Sequence, residues 1–389
     1  MNARNPAPQS APARTAVAST SAPVLTARRA RRRLVTVALS VIAVALTLLA
    51  LSRGDFPLTL PELLQALAGR GGFASTIVLE WRMPRALAAL VFGAALALSG
   101  AIFQTLTRNP LGSPDVLGFS TGAYTGVLLL TLVAPPALAG TLGGAANTLG
   151  ALLGGIGTAV IVYLLARRDG VQGFRLIVVG IGASAMLNAL NVWILLQAQD
   201  EVAMAASMWG AGSLALVDWA GMLPVLILLV VAVPGLLLCV PVMQQLELGD
   251  DMASVHGVSV ERTRRRILLL AVVLVAAVTA LSGPIAFVAL SAPQLAKRLV
   301  AGTGIPLAAS AAMGAVLLSG ADLVAQHVLP TDLPVGVLTI VLGGLYLVGL
   351  LLAPALQALR TGGALWSGPC LRRPSNSDHF SPIPAPTKH

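Results

Sequence analysis

Long apolar runs, separated by short polar or charged segments, make up most of the chain. Uncharged stretches of about 20 residues recur along it, and a helix of that length crosses the hydrocarbon core of a bilayer. The pattern predicts ten transmembrane helices, at about 34–51, 86–106, 116–134, 143–166, 176–199, 219–243, 267–281, 284–299, 305–326 and 334–356. The fold class that follows is an all-α polytopic membrane protein.

The uncharged run at 267–296 is too long for a single span, because a helix of that length would measure about 45 Å. Ser282, Gly283 and Pro284 interrupt it near its middle. The arginines at 262–266 precede the run and Lys297–Arg298 follow it, so the positive-inside rule puts both of its ends on the cytoplasmic side. We therefore divide the run into two spans, the second tilted or partly re-entrant.

Both ends of the chain have compositions unlike the spans. Residues 1–27 are rich in Pro, Ala, Ser and Thr, and an arginine-rich segment completes the range 1–33, which we predict to be a disordered basic tail. A cleaved signal peptide is the alternative, but the apolar run at 34–51 is longer than the usual signal core of about 7–15 residues. We therefore favour an uncleaved first span. By the positive-inside rule, the arginines that precede it place the N-terminus in the cytoplasm. The predicted organisation is this tail, a transmembrane domain at 34–356 and a disordered tail at 357–389, with both termini cytoplasmic.

Composition agrees with a membrane protein and excludes several function classes. The chain is 56% hydrophobic and 10% charged, whereas soluble domains carry roughly 25% charged residues. Its net charge of +10 is clustered beside the predicted spans, which indicates membrane topology rather than nucleic-acid binding. The sequence contains no nucleotide-binding loop, no catalytic motif and no metal-ligand cluster. We therefore expect no enzymatic activity and no bound cofactor, and the energy for transport must come from a partner or an ion gradient.

The longest polar interruption is the segment at 244–266, QQLELGDDMASVHGVSVERTRRR, called here the 244–266 loop. The pattern predicts two short helices joined near Gly257. Leu248, Met252 and Val255 fall on one helical face, and Asp250, Asp251 and Ser254 fall on another. A solvated loop and a docking surface are both compatible with this segment, and its ordered helical pattern favours docking.

Other polar residues occur at the predicted spans. Arg82 and Arg85 flank Pro84 at the outer mouth of the second span, either as interfacial side chains or as a clamp for an acidic extracellular partner. Asp322 lies within the ninth span, where neighbouring helix dipoles or hydroxyls could satisfy it. One intramembrane carboxylate is a weak basis for a proton relay. This argues against the alternative function, a proton-coupled secondary transporter acting alone.

Five blocks of the sequence carry a family resemblance. They are WRMPRALAALVFGAALALSGAIFQTLTRNPLGSPDVLGFSTGA (81–123), WGAGSL (209–214), LELGDDMASVHGVSVERTR (246–264), SGPIAFVALSAPQLAKRL (282–299) and DLPVGVLTIVLGGLYLVGLL (332–351). In this order they resemble the FecCD-type, BtuC-like permease subunits of ATP-binding cassette (ABC) importers for iron–siderophores, haem and vitamin B12. The chain departs from the family pattern at Gln294, Gln326 and Asp332.

The resemblance implies a type II ABC importer permease fold in the cell membrane, without a catalytic site of its own. It implies three kinds of protein partner: a homologous permease chain, two cytoplasmic ATPase subunits that bind the ATP, and an extracellular or periplasmic substrate-binding protein. The substrate implied is an iron(III)–siderophore or related chelate, with haem and vitamin B12 as alternatives.

The resemblance also implies roles for individual residues. Arg82 and Arg85 match positions that contact the binding protein, and the 244–266 loop matches the loop that couples the permease to the ATPases. The coupling residues that we predict are Leu248, Gly249, Asp250, Ala253, Gly257 and Val258. Asn188 and Asn191 are neighbouring amides in the fifth span, and we predict that they line the transport pathway.

Overall fold

The computed structural model describes residues 18–54, 56–133, 144–167, 173–302, 304, 306–328 and 333–360. Over these ranges the regular structure is helical, as the sequence predicts, and no β-strand forms. Residues up to Gly343 make up one unit, and the second unit begins at Gly344. The packing described below is that of the first unit.

Fourteen α-helices and one π-helical segment are present in the described ranges. They are α1 (Ala18–Ser52), α2 (Leu60–Leu67), α3 (Phe73–Thr76), the π-helical segment (Ile77–Arg82), α4 (Met83–Thr107), α5 (Phe119–Val133), α6 (Gly144–Ala166), α7 (Gly173–Gln197), α8 (Asp200–Gly210), α9 (Trp219–Leu246), α10 (Asp250–Val255), α11 (Val260–Ser282), α12 (Val288–Val300), α13 (Leu307–His327) and α14 (Val335–Arg360).

Seven stretches of the described chain are long and apolar enough to cross a membrane. They lie in α1, in α3 to α4 taken together, and in α6, α7, α9, α11 and α13. The predicted third, eighth and tenth spans correspond to α5, α12 and α14. Helix α5 is described only as far as Val133, and the apolar stretch found in α14 is Val335–Gly349. Helix α12 has 13 residues, fewer than a full span needs. The prediction of ten spans therefore remains a prediction.

The first helix is longer than the sequence predicts. It begins at Ala18, inside the range 1–33 that we expected to be disordered. Alanine and arginine are strong helix formers, and extending an existing helix requires no new nucleation. The arginines at 28–33 therefore lie on a helix that continues from the first span. Residues 1–17 and 361–389, the greater part of the two predicted tails, lie outside the described residues.

The predicted interruption between the seventh and eighth spans is confirmed. Helix α11 ends at Ser282 and α12 begins at Val288. Between them Gly283 has φ 70° and Phe287 has φ 67°, and such left-handed backbone cannot continue a right-handed helix. With 13 residues, α12 is about 20 Å long. It is shorter than the bilayer core of about 30 Å, as expected of a partly re-entrant span.

Glycines bring the central helices into close contact around α4. Gly93 of α4 faces Gly314 of α13, and a Cβ on either residue would overlap the carbonyl group of the other. Gly100, further along α4, meets the carbonyl group of Ala289 in α12 in the same way. Such contacts between small residues are the usual means of helix association in membranes. Of the seven apolar stretches in the described chain, the one that includes α4 has the largest buried share.

Candidate functional site

The 244–266 loop contains one short helix rather than two. Gly249, with φ 117°, precedes the six-residue helix α10, and Gly257, with φ 80°, follows it. The second predicted helix is the first part of α11, which starts at Val260. No glycine or proline separates Val260 from the apolar run that follows, so the helix continues into the span. The turn near Gly257 is where the sequence predicts it.

Ion pairs fix α10 to the ends of two long helices. The carboxylate of Asp250, the first residue of α10, accepts hydrogen bonds from the guanidinium groups of Arg108 at 2.6 Å and Arg264 at 3.1 Å. Arg108 ends α4 with φ 49° and also donates to the carbonyl of Leu246, the last residue of α9, at 3.3 Å. These pairs connect α10 to α4 through Arg108 and to α11 through Arg264.

The buried side of α10 holds the loop against the helical unit. Ala253 is fully buried, and half-buried Val258 packs against the main apolar core. Leu248 lies on the opposite side and is 64% exposed, and Met252 and Val255 are 51% and 80% exposed. Exposed apolar side chains grouped on a segment too polar for lipid are typical of a protein-docking surface.

The six predicted coupling residues lie together in one segment but differ in their contacts. Ala253 and Val258 anchor the loop, Asp250 connects it to α4 and α11, and Leu248 is exposed. Gly249 and Gly257 supply backbone conformations that other residues rarely adopt. Our list of coupling residues missed Arg108 and Arg264. A basic residue directly after a span was the available signal for Arg108, but nothing in the sequence connects it to Asp250.

Arg82 and Arg85 make internal contacts at the other end of α4. The Arg82 guanidinium donates to the carbonyl groups of Leu51 at 3.0 Å and Phe56 at 2.8 Å. Arg85 forms an ion pair with Asp322 of α13 at 2.9 Å, and the Asp322 side chain is only 2% exposed. These contacts tie the end of α1 and the middle of α13 to the start of α4.

The contacts of Asp322 correct our interpretation of that residue. We expected helix dipoles or hydroxyl groups to satisfy its carboxylate, but its partners are the guanidinium of Arg85 and the amide of Gln326. The one intramembrane carboxylate considered for a proton relay therefore has a structural partner.

The two asparagines predicted to line the pathway differ in environment. Asn188 is exposed on α7, whereas Asn191 is buried, and neither polar atom of its amide has a hydrogen-bond partner among the residues that the structure describes. Residues three apart lie on neighbouring parts of a helix surface, so a contact of α7 with α5 or α6 can cover one and leave the other open. Their role in the pathway remains a prediction.

A second carboxylate, that of Asp115, has a buried oxygen and was not among the residues predicted from the sequence. It lies in the turn between α4 and α5 and accepts the Ser120 hydroxyl at 2.5 Å. The backbone N–H of Phe287, the left-handed residue just before α12, lies near enough to favour the negative charge of this carboxylate. Asp115 thus lies between the start of α5 and the break between α11 and α12, although these residues are far apart in the chain.

Comparisons of the sequence and of the structure with known proteins indicate the same family and fold. The sequence profile of the FecCD transport family matches residues 42–353. The chain is 47% identical to the ferric enterobactin transport system permease protein FepG of Escherichia coli K12 over 325 residues, which cover 83% of this chain and 97% of the relative. It is 37% identical to the vitamin B12 import system permease protein BtuC of Vibrio cholerae, over 69% of this chain and 80% of the relative.

Among solved structures, an inward-facing conformation of a metal-chelate type ABC transporter matches with a TM-score of 0.71 and 25% identity. The match covers 83% of this chain and 99% of that one. The relatives are transport permeases, and the described helices include several long enough to span a bilayer. The protein is therefore a multi-pass protein of the cell membrane, and the chain belongs to the FecCD transport family.

Proposed function

We propose that this chain is the permease subunit of an ABC importer that carries an iron(III)–siderophore across the cell membrane. The observation that carries the proposal is its 47% identity to a ferric enterobactin permease, over nearly the whole length of that relative. Relatives named for hemin and for vitamin B12 match at 36% and 37% identity, which supports the siderophore ahead of these alternatives. ATP is bound and hydrolysed by separate ATPase subunits.

The exposed apolar side of the 244–266 loop is the proposed docking surface for an ATPase subunit. Leu248, Met252 and Val255 offer apolar contacts outside the membrane, and Ala253 holds the same helix to the body of the protein. When ATP binding moves the ATPase, α10 moves with it. The Asp250 ion pairs then transmit that motion to α4 and α11, which gives the spans a means of alternating access.

The proposed topology has ten spans with both termini in the cytoplasm. Arg31 donates from Nε to the carbonyl of Leu299 at 3.0 Å, beside Lys297 and Arg298 at the end of α12. A cavity shared by Lys297 and Gln244 puts the 244–266 loop at the same end of the bundle. We call this the basic end. The positive-inside rule assigns it to the cytoplasm.

A second permease chain and a substrate-binding protein complete the proposed assembly. Most of the apolar stretch of α7 is exposed in the single chain, as it is in α1 and α9. Helix α7 also carries the exposed amide of Asn188 within its apolar stretch, which supports the proposal that a second permease chain, with lipid around it, covers α7 and that Asn188 lines the pathway between the chains. We also propose that Arg82 and Arg85, at the end of α4 opposite the basic end, contact the binding protein while keeping their internal partners.

The decisive experiment is uptake of a radioactive ferric siderophore by proteoliposomes that contain the permease, its ATPase and its binding protein. Uptake should require ATP and all three components. Permease-only vesicles with an imposed proton gradient are the matched control and should take up none. Uptake by these control vesicles would contradict the proposal and support a secondary transporter. Haem and vitamin B12, tested as competing substrates, should not displace the siderophore.

A further inference from the structure

A cationic cavity of about 250 Å³ lies at the basic end, where α1 meets α9 and α12. Arg28, Arg29 and Arg32 of α1 line it together with Lys297 of α12, and Glu247 is the one carboxylate on its wall. Within the described residues, no ion pair joins any of the four cations to a carboxylate. The cavity therefore favours an anionic ligand.

Helical structure holds the arginines of this cavity in place. Arg28 and Arg32 lie one turn apart, and continuing along the same face leads to Val35 and Leu39. Leu39 is buried, and Val35 packs against the apolar cluster that includes Val300. The packed face of α1 therefore extends beyond its apolar part as an arginine face directed into the cavity, and the hydrogen bond from Arg31 to Leu299 reinforces this arrangement.

The side of α1 opposite the cavity faces lipid. Leu34, Val37 and Val41 are spaced along one side of α1, and all three side chains are exposed. In a multi-pass membrane protein such a strip contacts acyl chains. Helix α1 is therefore an outer helix of the bundle, and the cavity on its inner side lies at the membrane boundary, where lipid headgroups are found.

We propose that this cavity binds the phosphate headgroup of an anionic phospholipid. Basic pockets between membrane helices on the cytoplasmic side are suited to such headgroups. A zwitterionic lipid would bring its own cation next to the four on the wall, so an anionic lipid is favoured. The assignment to the cytoplasmic leaflet rests on the proposed topology, whereas the binding itself does not depend on the transported substrate.

Native mass spectrometry of the full-length permease with phosphatidylglycerol tests the proposal. The double variant Arg28→Gln/Arg32→Gln should bind this lipid on the order of tenfold more weakly than the unchanged protein. Arg262→Gln/Arg266→Gln is the matched control. It removes two exposed arginines that do not line the cavity and should leave the affinity unchanged. Arg28→Lys/Arg32→Lys, which keeps the charge, should retain most of the binding and shows that the site can fold without the guanidinium groups.

Three outcomes would overturn the proposal. Equal loss of lipid in the two glutamine double variants would mean that general charge, not the cavity, attracts the lipid. Displacement of phosphatidylglycerol by an equal concentration of inorganic phosphate would assign the site to a free anion. Unchanged lipid binding with loss of the ATPase subunit would assign the arginines to protein docking. Because no transport is measured, these results are independent of the proposed substrate.

Discussion

Helix α4 carries an arginine–aspartate pair at each end, and the two pairs differ in their surroundings. At one end Arg85 meets an Asp322 side chain that is 2% exposed, and at the other Arg108 meets an Asp250 side chain that is 43% exposed. Removing one partner of a buried pair leaves an uncompensated charge, whereas water screens an exposed pair. An arginine–aspartate pair can therefore hold α4 firmly to α13 at one end, whereas the exposed pair at the basic end can break and re-form at little cost in free energy.

The largest expected effect is at the buried pair. Arg85→Ala should lower the free energy of unfolding by about 3–5 kcal/mol, because the buried Asp322 carboxylate loses its cation. Denaturation of the detergent-solubilised protein measures this loss. The double variant Arg85→Ala/Asp322→Asn, which leaves no buried charge, should recover much of the stability. A single variant as stable as the unchanged protein would show that the outer end of α4 does not depend on this pair.

At the basic end, the larger effect should be on binding rather than on folding. Val255→Asp places a charge on the exposed apolar side of α10 and should weaken binding of the ATPase subunit about tenfold or more, as for a central contact residue. Titration of the purified subunit against the permease measures the affinity. Ser254→Asp adds the same charge to the other face and is the control. Equal weakening by both substitutions would place the docking surface elsewhere.

Substitutions in the turn that follows α10 should have a smaller effect on the free energy of unfolding but should still lower uptake. Gly257 has φ 80°, and a Cβ there would meet no neighbouring atom within 4 Å. Gly257→Leu should therefore cost about 1–2 kcal/mol of backbone strain without crowding, and it should reduce uptake by changing how α10 is presented. Gly257→Asn tolerates this conformation better and should retain more uptake. The reverse order would contradict the role given to the turn.

The smallest effect on stability should come from the exposed pair. Asp250→Asn should change the free energy of unfolding by less than about 1 kcal/mol, yet lower transport because α10 loses its connection to α4 and α11. Stability and uptake measured on the same preparation separate the two effects. Asp251→Asn is the matched control, because Asp251 is exposed and has no ion pair within the described residues. A loss of stability as large as that of Arg85→Ala would remove the difference between the two ends.

Local features of the sequence predicted much of the fold. The predicted second span coincides with α4 within a few residues, because hydropathy and the turn at Arg108 mark its boundaries. The break at 282–287 followed from a glycine and a proline in a run too long for one helix. The start of α1 was misjudged, because composition alone indicates disorder without accounting for a helix that extends from a neighbouring span.

The candidate site was only partly predictable for a different reason. The 244–266 loop, Gly257 and the opposite faces of α10 follow from residues close together in the chain. Arg85 and Asp322 are 237 residues apart, and Arg108 and Asp250 are 142 apart. No periodic pattern connects such residues, since the contact depends on how each helix is rotated in the bundle.

The sequence by itself determined the class of protein, the position of the polar loop and the family, because these depend on hydropathy, helix breakers and ordered motifs. Only the tertiary structure decided which carboxylate Arg85 and Arg108 hold, that Arg28, Arg29 and Arg32 line a cavity, and that Asn191 is buried while Asn188 is exposed. These properties arise from contacts between distant helices. In the apolar, glycine-rich spans of this protein, many helix rotations satisfy the same sequence pattern, and close packing selects one of them.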